Sequence, residues 1–311
     1  MKPPPNDVDQ HGFPVPPKFE DDPPRKTPQQ PARSVVQRGR AVMILLLVIL
    51  VGAIIMEAGI PGQGRRIVAV SMFNQAQNRY FDGDLSGAIA KLDSAIWWFP
   101  AEPVFYEVRG SWRMEAKDLT GALADSDKVV ELLPKSSAAY MSRSLVHQRL
   151  GPTQTDEAIA DLDKAVEFRT ASDPSPFNAR AYARAVAGVD LDKALKDAEQ
   201  AIAFSSVDNS YILDTRGFIY HQMGDEKKAL ADLDKAIALA EKEKDQRLDQ
   251  LYKNGVDEKQ VGRLTKRLQE NLAVMYHHRG LVYQKLGDTT KASADLQQGD
   301  RWGYNPAEGV F

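Results

Sequence analysis

Apolar residues recur with helical spacing in six similar segments that run from Ala88 to Asp300. The segments read AIAKLDSAI, ALADSDKVV, AIADLDKAV, ALKDAEQAI, ALADLDKAI and ASADLQQGD, and they begin at Ala88, Ala122, Ala158, Ala194, Ala229 and Ala292. In four of them an alanine recurs seven positions after the first, on the helical face that a neighbouring helix approaches closely. The starting alanines are 34, 36, 36, 35 and 63 residues apart. This period predicts an array in which each unit buries its apolar face against the next.

Turn signals divide each unit into two helices. A Gly-Asp pair comes shortly before the alanine in three units, at Gly83-Asp84, Gly224-Asp225 and Gly287-Asp288. Glycine adopts the left-handed conformation that ends a helix, and the residues after it start the next one. Further upstream, an Arg-Gly pair recurs at Arg109-Gly110, Arg216-Gly217 and Arg279-Gly280, where the glycine lets the two helices of a unit touch. Pro100 and Pro134 close the first two units.

This order of residues resembles the tetratricopeptide repeat, and Leu213 to Ala240 and Tyr276 to Leu296 meet its pattern most fully. The resemblance covers about residues 69–306. It implies an all-α fold, a right-handed α-solenoid of about six helix pairs. The unit from Ser175 to Ser206 departs from the pattern, because it lacks the closing proline and has Ala198 where a large apolar residue normally packs.

The chain before the array divides into three parts. Residues 1–40 hold ten of the eighteen prolines and predict a disordered tail. Residues 41–60 are apolar apart from Glu57, and twenty helical residues span about 30 Å, so they predict a transmembrane helix. A cleaved signal peptide or a buried core helix is the alternative, but forty polar residues precede the segment and no clean cleavage site follows it. Residues 61–68 are expected to form a linker, and residues 307–311 a C-terminal tail.

Basic residues flank this apolar segment unequally. Arg65 and Arg66 follow it closely, whereas Arg25, Lys26, Arg33, Arg38 and Arg40 lie before it. The excess predicts a cytoplasmic N-terminus and extracytoplasmic, periplasmic repeats. The reverse orientation, with the array as a cytoplasmic adaptor, remains the alternative.

Composition limits the chemistry. The net charge of -3 gives no electrostatic reason to expect a nucleic-acid partner, and the absence of cysteine excludes disulfides and thiolate chemistry. No phosphate-binding loop, nucleophile motif or metal-ligand spacing is present, so no catalytic, cofactor-binding or metal residue is predicted. An accessory domain of a hydrolase or transferase is the enzymatic alternative, and it would need converging carboxylates.

Charged residues also recur once per unit. The arginines lie on first helices and the aspartates on second helices: Arg109, Arg143, Arg216 and Arg279, with Asp125, Asp161, Asp197, Asp232 and Asp295. They predict either a brace between helices or a row of solvated charges.

The resemblance implies that the first helices line a concave groove. The positions that would point into it are Phe73, Gln77, Tyr80, Glu107, Met114, Met141, Leu145, Gln148, Asp214, Phe218, His221, His277 and Leu281. The Lys and Asn pattern with which some relatives hold a C-terminal carboxylate is absent. Large apolar groups on such a strip suit a helix or extended peptide of a partner protein, unless several of them fill the core between units. The predicted function is a membrane-anchored protein-interaction scaffold for an envelope complex.

The long interval before the last unit contains about 29 extra residues, roughly 241–270. Asn254-Gly255 is a turn signal, and the leucines on both sides keep helical spacing. The two bordering helices are therefore expected to extend into a protruding antiparallel hairpin. Partner contact and passive extension are both open as its role.

Overall fold

The structure is a computed structural model that describes residues 62–304. Within this range the chain forms twelve α-helices and no strand, arranged in six consecutive pairs. The pairs are α1 (Gln63–Phe81) and α2 (Leu85–Trp98), α3 (Pro103–Glu115) and α4 (Leu119–Leu132), α5 (Ser137–Leu150) and α6 (Thr155–Glu167), α7 (Ser175–Ala187) and α8 (Leu191–Phe204), α9 (Ser210–Met223) and α10 (Glu226–Lys253), and α11 (Glu258–Leu286) and α12 (Thr289–Arg301). We call the first helix of each pair its A helix and the second its B helix. The all-α fold and its repeated unit are thus confirmed.

The predicted Gly-Asp turn joins the two helices of a pair. Gly224 has a φ of 83° and Gly287 a φ of 80°, in the left-handed region that favours glycine. The next residue then caps the B helix, since the Asp225 and Asp288 carboxylates accept the N–H of Lys228 and Lys291. These bonds satisfy backbone donors that the first turn of a helix leaves free.

Small residues allow the helices to approach closely. All four alanine pairs that recur seven residues apart are buried, as the sequence predicts: Ala88 and Ala95, Ala158 and Ala165, Ala194 and Ala201, and Ala229 and Ala236. Gly217 and Gly280 lie against the B helix of their own pair, where an added Cβ would come within 2.8 Å of Leu233 Cγ and Leu296 Cγ. Any larger residue at these positions would push the two helices apart.

An arginine on each of the last five A helices braces the array. In the third pair, the Arg143 guanidinium binds both carboxylate oxygens of Asp161 on the B helix of the same pair, at 2.9 and 2.6 Å. Its remaining nitrogen donates to Asp127, on the B helix of the preceding pair, at 2.9 Å. The same bidentate contact joins Arg109 to Asp125, Arg180 to Asp197, Arg216 to Asp232 and Arg279 to Asp295. The brace that the sequence predicts is confirmed, and Arg180, which the sequence patterns did not reveal, belongs to it.

The aspartate of each brace is buried, whereas Asp127, the second acid of the Arg143 brace, is exposed. Asp161 is 5% exposed, and the side chain of Asp127 is 57% exposed. Hydrogen bonding to Asp161 raises the pKa of Arg143, and bonding to Asp232 raises the pKa of Arg216. Buried charges persist in a protein only when they are paired, so each brace keeps a charged carboxylate inside the array.

The array begins earlier in the chain than expected. Residues 63–68, predicted to be a linker, form the first two turns of α1, and Gly62 precedes them in the left-handed conformation with a φ of 89°. Burial of Ala69 and Ala76 on the same helix stabilises these turns, which offsets the weak helical preference of Gly64. The predicted N-terminal tail (1–40), membrane helix (41–60) and C-terminal tail (307–311) lie outside the described residues. None of the helices in residues 62–304 combines the length and apolar character needed to cross a membrane.

The insertion consists of two extended helices. α10 has 28 residues and α11 has 29, and residues 254–257 join them. We call residues 241–270 the hairpin.

Replacing Asp161 with Asn should leave the Arg143 guanidinium partly buried without its charged partner. We expect the free energy of unfolding to fall by about 3 kcal/mol, because an unpaired buried charge is costly. Asp127→Asn is the matched control, since it removes an exposed acid from the same guanidinium, and we expect a loss of about 0–1 kcal/mol. Urea unfolding followed by circular dichroism measures both. Equal losses would show that burial does not set the contribution of the brace.

Candidate functional site

The A helices form a continuous layer in the second half of the array. Neighbouring A helices contact each other there, α5 with α7, α7 with α9 and α9 with α11, and no two B helices of residues 62–304 make a comparable contact. Elements that touch across successive units lie on the inside of a curved array. In this half of the array the A layer therefore lies on the inner side, and the predicted groove residues all belong to A helices.

Two aromatic stacks occupy the A layer between the first two pairs. The Phe73 ring lies 5.3 Å from the Phe105 ring, and the Tyr80 ring stacks on Trp112 at 4.8 Å. The Tyr80 hydroxyl donates to Glu115 at 2.9 Å, and burial followed by this bond raises the pKa of Tyr80. Phe73 and Tyr80 are thus half-buried members of the first core cluster, with an edge left at the surface.

The second and third pairs carry an open strip of apolar side chains. Met114, Met141 and Leu145 are half-buried, and within the described chain they lie outside the buried core clusters. We call these three residues the open strip. The predicted polar groove residues are at least partly accessible: Gln77 and Gln148 are half-buried, and Glu107 is exposed. Gln148 donates to Ser144 on its own helix at 3.2 Å.

In the fifth pair, two predicted groove residues are buried, and their expected exposure is wrong. Phe218 is 7% exposed and Asp214 is 5% exposed. α11 packs across α9 at these positions, so that His278 stacks on Phe218 at 4.1 Å and its Nδ1 lies 2.9 Å from Asp214 Oδ1. Because a carboxylate only accepts, Nδ1 of His278 is the donor. Phe218 is a core residue here, the alternative that the sequence left open.

The last groove residues are covered in part. His221 pairs with Glu226 at 2.8 Å, and Leu281 packs against the cluster that contains Phe218. The His277 ring stacks on Tyr304 at 3.7 Å. Burial, followed by the neighbouring His278, lowers the pKa of His277 to about 4, so this imidazole is neutral near pH 7.

The described chain contains two buried polar atoms next to Phe218 that have no hydrogen-bond partner: the Tyr182 hydroxyl oxygen and Nε2 of His278. The Tyr182 ring lies 6.3 Å from Phe218 and 6.1 Å from His278, and burial raises the pKa of Tyr182. Sequence reasoning missed both residues, since Tyr182 lies in the irregular fourth unit and His278 lies one position beyond a predicted groove residue.

The hairpin reaches back to the first pair. The Arg263 guanidinium donates to the carbonyl oxygen of Phe81 at 3.0 Å and lies 5.4 Å from the centre of its ring. These residues are 182 positions apart in the sequence. The hairpin therefore does not simply protrude, because it links the fifth and sixth pairs to the C-terminal end of α1.

The buried acids of the described residues all have polar partners. Every buried aspartate in residues 62–304 bonds an arginine or, for Asp214, a histidine. No three His, Asp or Glu side chains of the described chain are arranged to hold a metal ion. A cavity of about 90 Å³ at the base of the hairpin, lined by residues such as Tyr211, Arg247 and Asn271, is smaller than typical ligand pockets.

Comparison with known proteins agrees with this geometry. The tetratricopeptide repeat family model matches residues 211–243 and 273–302. Similar solved structures include a tetratricopeptide repeat protein from Parabacteroides merdae, with 14% identity, a TM-score of 0.51 and coverage of 76% of this chain and 94% of that one. PilW, a type IV pilus biogenesis factor, has 14% identity and a TM-score of 0.52, with coverage of 77% of this chain and 96% of PilW. The APC/C hetero-tetramer Cut9-Hcn1 has 15% identity and a TM-score of 0.54, with coverage of 82% of this chain and 46% of that one.

At these identities the likeness to solved structures concerns the fold alone, and no curated protein sequence matches the chain. The family-model matches thus fall within the fifth and sixth pairs, and the solved structures share the fold of the array.

Proposed function

We propose that the array is a protein-interaction scaffold that binds a peptide or protein segment along the A layer of its first three pairs. The observation that carries this proposal is the open strip of Met114, Met141 and Leu145, which are half-buried on A helices and lie outside the core clusters. Half-buried methionine and leucine side chains in a groove are suitable contacts for the apolar anchors of a helix or extended segment. Methionine adapts its shape to different partners.

The contrast with the fifth pair favours this location. Phe218 lies at the position that corresponds to Leu145 in the third pair, but His278 of α11 stacks on it. The array thus fills its own groove at that point with a side chain from the next A helix. A partner segment at the third pair would make the same kind of contact with Leu145.

The proposal also includes a membrane anchor at residues 41–60, with the repeats on the extracytoplasmic side, where they would help to assemble an envelope complex. Its basis is the apolar run and the excess of basic residues before it. The alternative is a cytoplasm-facing adaptor with the same groove.

Protease added to intact spheroplasts should digest the repeats, because we expect them to face outward. Immunoblotting with antibodies against the tail and against the array measures which part survives. Disrupted spheroplasts are the control, in which both parts should be cut. Protection of the array with digestion of the tail would reverse the orientation and favour the cytoplasmic adaptor.

A photo-crosslinking residue placed at Leu145 should capture a partner in cells, and the same residue at Tyr252, which is exposed on the hairpin, should not. With the captured partner, Leu145→Ser should weaken binding by about 1–3 kcal/mol, because an apolar anchor loses its contact. Isothermal titration measures the affinity, and thermal unfolding should be almost unchanged. Tyr252→Ser is the matched control.

Capture from Tyr252 but not from Leu145 would instead place the binding surface on the hairpin. A large loss of thermal stability in Leu145→Ser with unchanged affinity would assign Leu145 to the core.

A further inference from the structure

Trp97 is the most exposed large hydrophobic residue of the described chain, with 75% of its surface accessible. It is the next-to-last residue of α2, and its ring meets Trp98 edge-on at 5.1 Å. Trp98 and Phe99 pack against the core cluster of the first pair, so Trp97 alone points away from it. Tryptophan combines a large apolar surface with one hydrogen-bond donor, and exposing it fully to water is unfavourable.

Trp97 lies at the end of the array where the chain enters it. A Cβ on Gly62 would lie 3.9 Å from Phe99 Cε2, which places the start of α1 beside the end of α2. Arg66 and Glu102, 3.5 Å apart, join the start of α1 to the loop after α2. Ile67, in the second turn of α1, and Val104, in the first turn of α3, are also exposed. Several exposed apolar side chains therefore occur at this one end of the array.

The sequence limits how far this end can lie from the proposed membrane span. Ile60 precedes Gly62 by two residues, and two residues span at most about 7 Å. Tryptophan is enriched where a bilayer meets water, because its ring is amphipathic. Arg65 and Arg66 lie next to the same entry point, and cations there are attracted to anionic lipid headgroups.

We propose that Trp97, with Ile67 and Val104 at the same end of the array, is a membrane-interface contact that seats the first helix pair in the headgroup region of the bilayer. This inference rests on the proposed membrane span at residues 41–60. Its occupant is lipid, because the exposed groups combine an aromatic ring, aliphatic side chains and nearby cations at the end of the array that follows residues 41–60 in the sequence. Such a contact adds a second attachment to the anchor and limits the rotation of the array about its connection to the membrane.

Depth-dependent fluorescence quenching tests the contact. The full chain is reconstituted in vesicles of phosphatidylcholine and phosphatidylglycerol whose acyl chains are brominated either near the headgroup or near the chain end. We expect quenching by the lipid brominated near the headgroup. Trp97→Phe should at least halve this quenching, whereas Trp302→Phe, at the other end of the array, should leave it unchanged. Circular dichroism checks that both variants keep the helical content of the parent chain.

Extraction of the vesicles at alkaline pH separates the two proposals. If the chain stays in the membrane and Trp97→Phe leaves lipid quenching unchanged, the interface contact is refuted and the anchor stands. If alkaline pH releases the chain, the anchor is refuted, and the interface contact that depends on it falls as well. Acrylamide, a water-soluble quencher, provides a further check. If Trp97 fluorescence is protected from acrylamide but is not quenched by brominated lipid, protein covers the residue, which also refutes the contact.

Discussion

The array depends on one repeated interaction, a guanidinium shared by three helices. In the third pair, Arg143 of α5 binds Asp161 of α6 with two hydrogen bonds and Asp127 of α4 with a third. Two parallel bonds to a carboxylate fix direction as well as distance. The braces at Arg109, Arg143, Arg180 and Arg279 therefore orient an A helix against its own B helix and against the preceding pair. Hydrophobic burial of small alanines holds the helices close, but it is non-directional and cannot set this orientation.

The orientation of the A helices decides which groove residues remain accessible. The same family position is half-buried at Leu145 and buried at Phe218, because α11 lies across α9 in the second half of the array. The hairpin adds a further constraint at the other end through the contact of Arg263 with Phe81. The A layer thus keeps apolar side chains half-buried in the second and third pairs and is closed by the chain's own side chains in the fifth.

Local patterns predict the parts of this structure that depend on residues near in sequence. The helix pairs, the Gly-Asp turns, the close contacts at Gly217 and Gly280, and four of the five braces all follow from residues within one unit. Arg180 was missed because it lies in the fourth unit, which departs from the repeat pattern followed by the other units. The linker was misplaced because the segment from Pro61 to Gly64 carries turn-forming residues, whereas packing of α1 against α2 extends the helix to Gln63.

Contacts that depend on the path of the whole array could not be predicted in this way. The burial of Phe218 depends on how α11 crosses α9, and the contact of Arg263 with Phe81 depends on the curvature accumulated over all six pairs. The contrast between an open third pair and a closed fifth pair is therefore the central claim to test. The natural chain has no cysteine, so single cysteines can be introduced and labelled with a maleimide without background. The account predicts that Leu145→Cys is labelled at least about tenfold faster than Phe218→Cys, because a buried site reacts only through local opening. Equal labelling rates under native conditions would contradict it.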